Sequence, residues 1–447
     1  MVRELWARWR HHLVATAVLL VLSGSLVRSS FDARDILPDE AEWVTSGLRT
    51  FELYRDLAAP EEWEGAYTGL GDWGNMNPPV GKLIIGIGLA FVHEQGDRTT
   101  YITTWPFDRV KNAAAGNFPP QHYLVAGRLA VALFGSACLV LVYICAVQLL
   151  RRRWEPLVAP VVLFGTAAFQ VHASHVFTDM PQIAFLLAAV AALQSFIASG
   201  RRWMFFLALS FIGLSCAVKF STAPVVVAAM IVFVGARGTI VRRVGRLLAI
   251  AIIPFAVFVV VNPYLYPAPI TRSLELVERW SATKRAQQSM PSIANQAVTS
   301  PIQRVALVTA RGVLVPKAVW PLLPLGLVVG LAILAFLIQT GRSELARRPC
   351  TIVVASGVAA VLAANVLDGP ALLLPLLAGA GAVELVLRVK ARDGVWTHYA
   401  AVLAVFLIFT ALWLPFDWSR YYLPVIALMS VVYAAGVARI VEVTSWT

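Results

Sequence analysis

Charge is what this chain has least of. Only 14% of its 447 residues are Asp, Glu, Lys or Arg, 59% are hydrophobic, and the mean hydropathy is +0.72. That balance excludes an ordinary soluble domain. Lysine is scarcest, with six against 31 arginines. No alternation of apolar and polar residues runs over segments of about ten residues, which excludes a transmembrane β-barrel. Cysteine is rare too. Cys138, Cys145, Cys216 and Cys350 all lie inside apolar runs, so they read as small buried hydrophobes and not as a disulfide framework or metal site. A Gly-rich phosphate loop, a fixed-period repeat and a low-complexity tract are all missing, which removes those architectures. What is present is one all-α polytopic membrane domain over residues 1–447.

A hydrocarbon span takes about 20 apolar residues, with roughly 17 to 25 tolerated. Apolar runs occur at 13–27, 83–92, 122–150, 156–176, 179–198, 203–219, 221–235, 247–261, 318–338, 350–366, 370–387, 397–415 and 421–441. With the basic N-terminus inside, a crossing at 83–92 would put Arg151, Arg152 and Arg153 outside. That run is also too short to cross and suits an interfacial or re-entrant helix. Without it, twelve spans remain, both termini are cytoplasmic, and the basic clusters at 151–153, 201–202, 237–246, 342–348 and 388–392 all fall inside. The run 13–27 is read as an uncleaved first span, although Ser23, Gly24 and Ser25 would also suit a signal-peptide cleavage site. Residues 203–235 would reach roughly 50 Å as one helix, so the chain must fold back at Lys219. The same argument folds 156–198 back at Asp179. Two long outer loops result, 28–121 and 262–316, and loops of such length invite a functional reading.

The polar features collect on that outer side. Residues 28–77 hold eleven of the chain's 25 acidic residues, a concentration that needs water. Among them, Asp39 and Glu40 follow Pro38. Adjacent carboxylates repel, which would leave one of them able to act as a base, but the pair equally suits a helix N-terminus. Asn77-Pro78-Pro79-Val80-Gly81-Lys82 gives an extended entry and a turn into the short 83–92 helix. Lys82 then stands at the interface, either meeting a lipid phosphate or snorkelling. Arg128, six residues into its apolar run, needs a partner: a loop carboxylate or a substrate. His175 and Asp179 have helical i,i+4 spacing, but no third ligand is in view for a metal; Asp179 also suits a helix cap. Lys219 and Arg420 sit where outer turns meet helices, as anchors or as ligand contacts. The loop 262–316 carries Arg272, Arg279, Lys284, Arg285, Arg304 and Arg311 against Glu275 and Glu278. A basic loop on the outer face points to an anionic ligand such as a phosphate.

These segments, in this order, resemble the protein O-mannosyltransferase and lipid A aminoarabinose transferase superfamily of membrane glycosyltransferases. NPPVGKLI is similar to that family's HPPLGK segment, GRLAVALFGSACLVLVYI to its next span, AVKFSTAP to its KWxG-type segment and RYYLP to its RYLLP-type end. Asn77 departs from the usual His, Ser174 from the usual Arg, and the chain has no room for a large soluble lumenal domain, which weakens the case for a protein acceptor. The resemblance implies a GT-C-like bundle of about twelve transmembrane helices, with interfacial helices in the first outer loop. It implies transfer of one sugar, mannose or a relative, from a polyprenyl-phosphate carrier to a hydroxyl of a glycan, lipid or protein Ser/Thr, with inversion. Asp39 would be the general base, with Glu40 and Asp179 orienting substrates. Lys82, Lys219 and Arg420 would hold the phosphate, with Asn77, His175 and Tyr421 completing the binding set and Arg128, also a binding candidate, rather supporting the loop. No cofactor is firmly implied, and ligand spacing gives a divalent metal no support. Nucleic acid is not an expected partner. The abundance of Arg over Lys, the lack of a lumenal N-x-S/T sequon and the lack of a C-terminal retrieval signal point to a bacterial plasma membrane with an extracytoplasmic site. The competing reading is a secondary transporter, flippase or binding protein for a lipid-linked sugar. Transporters place their charges near the bilayer midplane in repeated halves, whereas here they gather at one surface. Cysteines introduced at Pro60 and Met290 are expected to react with an impermeant maleimide from outside, and one at Ile240 only from inside; the reverse pattern would discard this topology.

Overall fold

The structure is a computed structural model that describes residues 2–31, 36–68, 77–94, 96–104, 107–150, 154–235, 239–291, 293–314 and 373–445. The described residues are mostly helical and include no β-strand; Ala297 and Phe416 form an isolated bridge. Six of the described helices are long and apolar enough to cross a membrane: Leu13–Ser30, Gln121–Leu150, Asp179–Ser199, Ile240–Val260, Gly394–Trp413 and Leu423–Glu442. Shorter apolar helices at Arg202–Val218 and Phe220–Val234 accompany them. Twelve spans are compatible with this set. The expected spans at 318–338 and 350–366, the start of the one at 370–387, and the basic clusters at 151–153 and 342–348 lie outside the described residues.

Both expected fold-back points are breaks in the helices. The helix Arg202–Val218 stops at Lys219, whose backbone is extended (φ −152°, ψ 137°), before a 3-10 turn and the helix starting at Pro224. A new helix begins at Asp179. The expected span 156–176 is not one helix. It divides into Val158–Phe164 and Ala167–Ser174, because Thr166 is extended and its hydroxyl accepts the Phe169 N–H, starting a fresh helix.

The segment expected as the first outer loop is built on two helices, Glu40–Arg55 and Pro79–Ala90. The second is 12 residues, about 18 Å, too short to span. They cross at glycines: a Cβ on Gly86 would lie 2.3 Å from the Gly47 carbonyl oxygen, so no side chain fits there. This pair packs against the 121–150 helix. Beneath it lies a buried ion pair. Glu40 and Arg128 are both completely buried. Arg128 Nε and Nη2 each donate to a Glu40 oxygen at 2.8 Å, and the same carboxylate accepts the Leu37 and Val176 N–H groups at 2.9 Å. A bidentate guanidinium with two backbone donors accounts for all of the carboxylate's acceptor positions. The pair therefore ties the outer loop to the 121–150 helix and to the turn before Asp179.

The segment expected as the second outer loop forms the helix Pro269–Gln288 and a clasp. Residues 296–298 pair with 415–417 through Val298 N–H to Pro415 O and Asp417 N–H to Gln296 O, both 3.0 Å. Removing one member of the buried pair should unseat the first loop. Arg128→Met, which leaves a buried carboxylate uncompensated, is expected to cost about 3–5 kcal/mol. Thermal unfolding in detergent measures this, and an unchanged melting temperature would show that the pair does not hold the loop.

Candidate active site

Separate segments of the chain converge on Arg420. This residue sits in the 3-10 turn Ser419–Tyr421 that precedes the final helix. Its Nη1 donates to Asp39 Oδ2 at 2.9 Å. Asp39 stands just before the helix Glu40–Arg55 and makes no side-chain cap bond to it, so its carboxylate is available to the cavity it lines. On the other side is Asp179, buried at the start of its helix. Its Oδ1 accepts from Lys219 Nζ at 2.6 Å, and its Oδ2 lies 3.2 Å from His172 Nδ1. His172 Nε2 is in turn 3.2 Å from Ser419 Oγ. The two breaks at 179 and 219 thus set an acid and a base face to face, with little exposure to water.

Two cavities meet at this cluster. The larger, about 590 Å³, is lined by Asp39, His172, Phe177, Gln296, Trp418 and Arg420, among others. The smaller, about 60 Å³, is lined by both apolar rings (Trp280, Phe406, Phe409, Trp413) and charged groups (Asp179, Lys219, Arg420). Tyr421 lines this one. Arg420 lines both.

A third cation stands nearby. Lys284, from the helix Pro269–Gln288, holds its ammonium 5.7–5.9 Å from the Trp280, Phe416 and Trp418 rings and donates to Gln287 Oε1 at 2.9 Å. Burial, followed by the Arg420 and Lys219 cations, pushes it down to about 7, with Asp39 pulling the other way. Beside Asp39, burial and then the Asp39 charge raise the Glu42 carboxyl to about 8, against a bond from Thr103.

Of the residues singled out in the sequence, Asp39, Asp179, Lys219, Arg420 and Tyr421 come together. Glu40 and Arg128 do not join them. They line neither cavity, and their groups are engaged with each other, so Glu40 has no acceptor position left for a substrate. Lys82 also lines neither cavity. It is buried on the helix Pro79–Ala90, where burial pushes its ammonium down to about 7. Its neighbour Gly81 abuts Thr178 and Val218, which places this helix against the same outer turns. Asn77 lies just before that helix and lines neither cavity. The histidine at Asp179 is His172 and not His175. The i,i+4 spacing fails because the helix Ala167–Ser174 ends before His175, whose extended backbone (φ −122°, ψ 165°) turns its ring to Ser174 Oγ and Val171 O. Among the described residues, no three His, Cys, Asp or Glu side chains are grouped to hold a metal ion. Trp280, Trp418 and Lys284 were not distinguishable in the sequence from other aromatic or basic loop residues.

Comparison with known proteins agrees with this architecture. Residues 52–272 match the family model described as dolichyl-phosphate-mannose-protein mannosyltransferase. No curated protein matches the chain. Among solved structures, the archaeal oligosaccharyltransferase AglB from Archaeoglobus fulgidus, in complex with an inhibitory peptide and a dolichol-phosphate, is 14% identical. The match covers 96% of this chain and 50% of that one, with a TM-score of 0.50. ArnT from Cupriavidus metallidurans bound to undecaprenyl phosphate is also 14% identical, over 96% of this chain and 60% of that one, at a TM-score of 0.48. The Saccharomyces cerevisiae Pmt1-Pmt2 protein O-mannosyltransferase complex, bound to its sugar donor, is 15% identical over 55% of this chain and 33% of that one, at 0.40. The chain thus spans less than two thirds of the length of each of these. At such identities the likeness concerns the fold, and the match to AglB carries it. The chain is a multi-pass membrane protein with a GT-C glycosyltransferase fold, and its residues 52–272 are similar to the dolichyl-phosphate-mannose-protein mannosyltransferase family.

Proposed function

We propose that this protein is a glycosyltransferase that moves a single sugar from a polyprenyl-phosphate carrier to an acceptor hydroxyl, on the extracytoplasmic face of a bacterial plasma membrane. The observation that carries the proposal is the position of Arg420, which lines both cavities, with Asp39 on one side and Lys219 and Asp179 on the other. A transferase of this kind needs two substrates to meet at a cation, and the chemistry divides between the cavities accordingly. The apolar rings of Trp280, Phe406, Phe409 and Trp413 suit the first isoprene units of a carrier, whose phosphate would then lie against Lys219 and Arg420. The larger cavity, with Asp39 in its wall, suits the acceptor.

In the reaction, the acceptor oxygen attacks the anomeric carbon from the face opposite the phosphate, so the configuration inverts. Asp39 takes the hydroxyl proton. The bond from the anomeric carbon to the phosphate oxygen breaks, and its electron pair leaves with the polyprenyl phosphate, which gains a negative charge. Lys219, Arg420 and Lys284 stabilise that charge as it develops. Asp179 holds Lys219 in place and supports the positive charge that builds on the sugar ring. The family model makes mannose the first sugar to test. The acceptor can be a glycan, a lipid or a protein hydroxyl.

Two measurements examine this reading. Asp39→Asn is expected to lower sugar transfer from a polyprenyl-phosphate donor by a factor of about 10²–10⁴ while the protein still binds undecaprenyl phosphate; full activity would remove Asp39 as the base. Lys284 is charged below about pH 7 and neutral above it, so its hold on phosphate weakens as pH rises through that value. Lys284→Arg, charged throughout, is expected to bind undecaprenyl phosphate with a flatter pH dependence than the wild type between about pH 6 and about pH 8.5. Identical pH dependence in the two proteins would place Lys284 outside the phosphate site.

A further inference from the structure

An arginine on a turn does not hold its position unaided, because its long side chain has rotamer entropy to lose. Among the described residues Arg420 makes one ion pair, with Asp39, which is itself partly open to the larger cavity. Arg420 also meets the neighbouring Tyr421, whose ring centroid is 5.9 Å from the guanidinium carbon, and it rests on an aromatic stack. The Arg420 guanidinium lies 4.3 Å over the ring of Trp418. The Trp418 ring is stacked on Phe416 at 4.4 Å between centroids and 12° between planes, and Phe416 is fully buried. One flank of the indole is therefore fixed to the core, and the guanidinium rests on its ring. The indole edge is fixed too: Trp418 Nε1–H donates to the Gln296 side-chain oxygen. Gln296 belongs to the clasp, and its carbonyl oxygen accepts the Asp417 N–H at 3.0 Å. The stack is thus locked from below by the core and from the side by the second outer loop.

We propose that Trp418 is a positioning residue that sets Arg420 in the wall shared by the two cavities, and that it does so under the control of the second outer loop through Gln296. This proposal rests on the reading of Arg420 as a phosphate-holding group. With the indole in place, the guanidinium is preorganised and no ordering cost falls on donor binding. Without it, Arg420 is free to leave the donor pocket. Trp418 need not touch either substrate for this effect.

The test uses the purified full chain in lipid nanodiscs, with two readouts. Binding of undecaprenyl phosphate is measured by native mass spectrometry for the wild type, Trp418→Leu, Trp418→Phe, Arg420→Ala and the Trp418→Leu/Arg420→Ala double variant. Trp418→Leu is expected to weaken binding about tenfold, and Trp418→Phe, which retains a ring to stack on, by no more than about threefold. In the Arg420→Ala background, Trp418→Leu should add less than about a twofold loss, because the group it positions is gone. The second readout needs no ligand: the rate at which phenylglyoxal modifies Arg420, followed by peptide mass spectrometry, should rise several-fold in Trp418→Leu and little in Trp418→Phe. A Trp418→Leu loss that is undiminished in the Arg420→Ala background, or an unchanged labelling rate, would overturn the proposal. A wild type that binds no undecaprenyl phosphate would instead overturn the donor assignment, with the labelling rate still deciding whether Trp418 positions Arg420.

Discussion

A charge placed in a low-dielectric interior must be matched, and the Glu40–Arg128 pair is where the outer half of this protein satisfies that condition. Each ion alone would cost several kcal/mol to bury. Together, with the Leu37 and Val176 N–H groups, they are fully bonded and inaccessible. The pair fixes the start of the helix Glu40–Arg55 to the 121–150 helix and to the turn before Asp179. It also decides what its neighbour can do. Asp39 directly precedes Glu40, and with Glu40 committed inward, Asp39 is the member of the acidic pair that lines the larger cavity and meets Arg420. Adjacent carboxylates in the sequence have become one anchor and one site group.

The charges of the site follow the same rule with the opposite remainder. Lys219, Lys284 and Arg420 bring three basic groups; Asp39 and Asp179 bring two acidic ones. Asp179 and Lys219 nearly cancel at 2.6 Å, and Asp39 is taken by Arg420. Lys284 has aromatic rings and an amide for company. A cluster left with a surplus of positive charge suits an anion of low charge, and it favours the state in which that anion gains charge. This is the direction in which a phosphodiester changes when its sugar leaves.

The membrane imposes hydropathy and charge-side rules strong enough that much of the scaffold was legible in the sequence. The breaks at Asp179 and Lys219, and the short helix ending at Ala90, followed from run length and from where the basic residues must lie. The site was legible only in part. Asp39 and Arg420 are 381 residues apart, and nothing local couples them; their shared side of the membrane was the one available signal. His172 was hidden because i,i+4 spacing presumes a continuous helix, and that helix stops at Ser174. Glu40 and Lys82 were included with their neighbours because a sequence does not show which way a side chain turns at a helix start. Trp418 carries no charge or motif at all, and only the stack reveals it.

The basic second outer loop had suggested an anionic ligand, and the structure divides that signal. Arg272 pairs with Glu64, and Arg279 lies one turn from Glu275 at 4.0 Å. Arg304 donates to the Leu412 and Val298 carbonyl oxygens, and Arg311 pairs with Asp417. Four of the six basic residues therefore hold the loop to itself, to the first loop or to the turn before Arg420. The departure from the usual charge bias is largely a docking device, made of bidentate-capable arginines that suit carboxylates and carbonyls. Lys284 is the member of the six that reaches the Arg420 cluster. A lysine suits that place better than an arginine, since burial can lower its charge and a bound phosphate can restore it. The loop's arginines fix the frame, and its single lysine is left to respond to what enters.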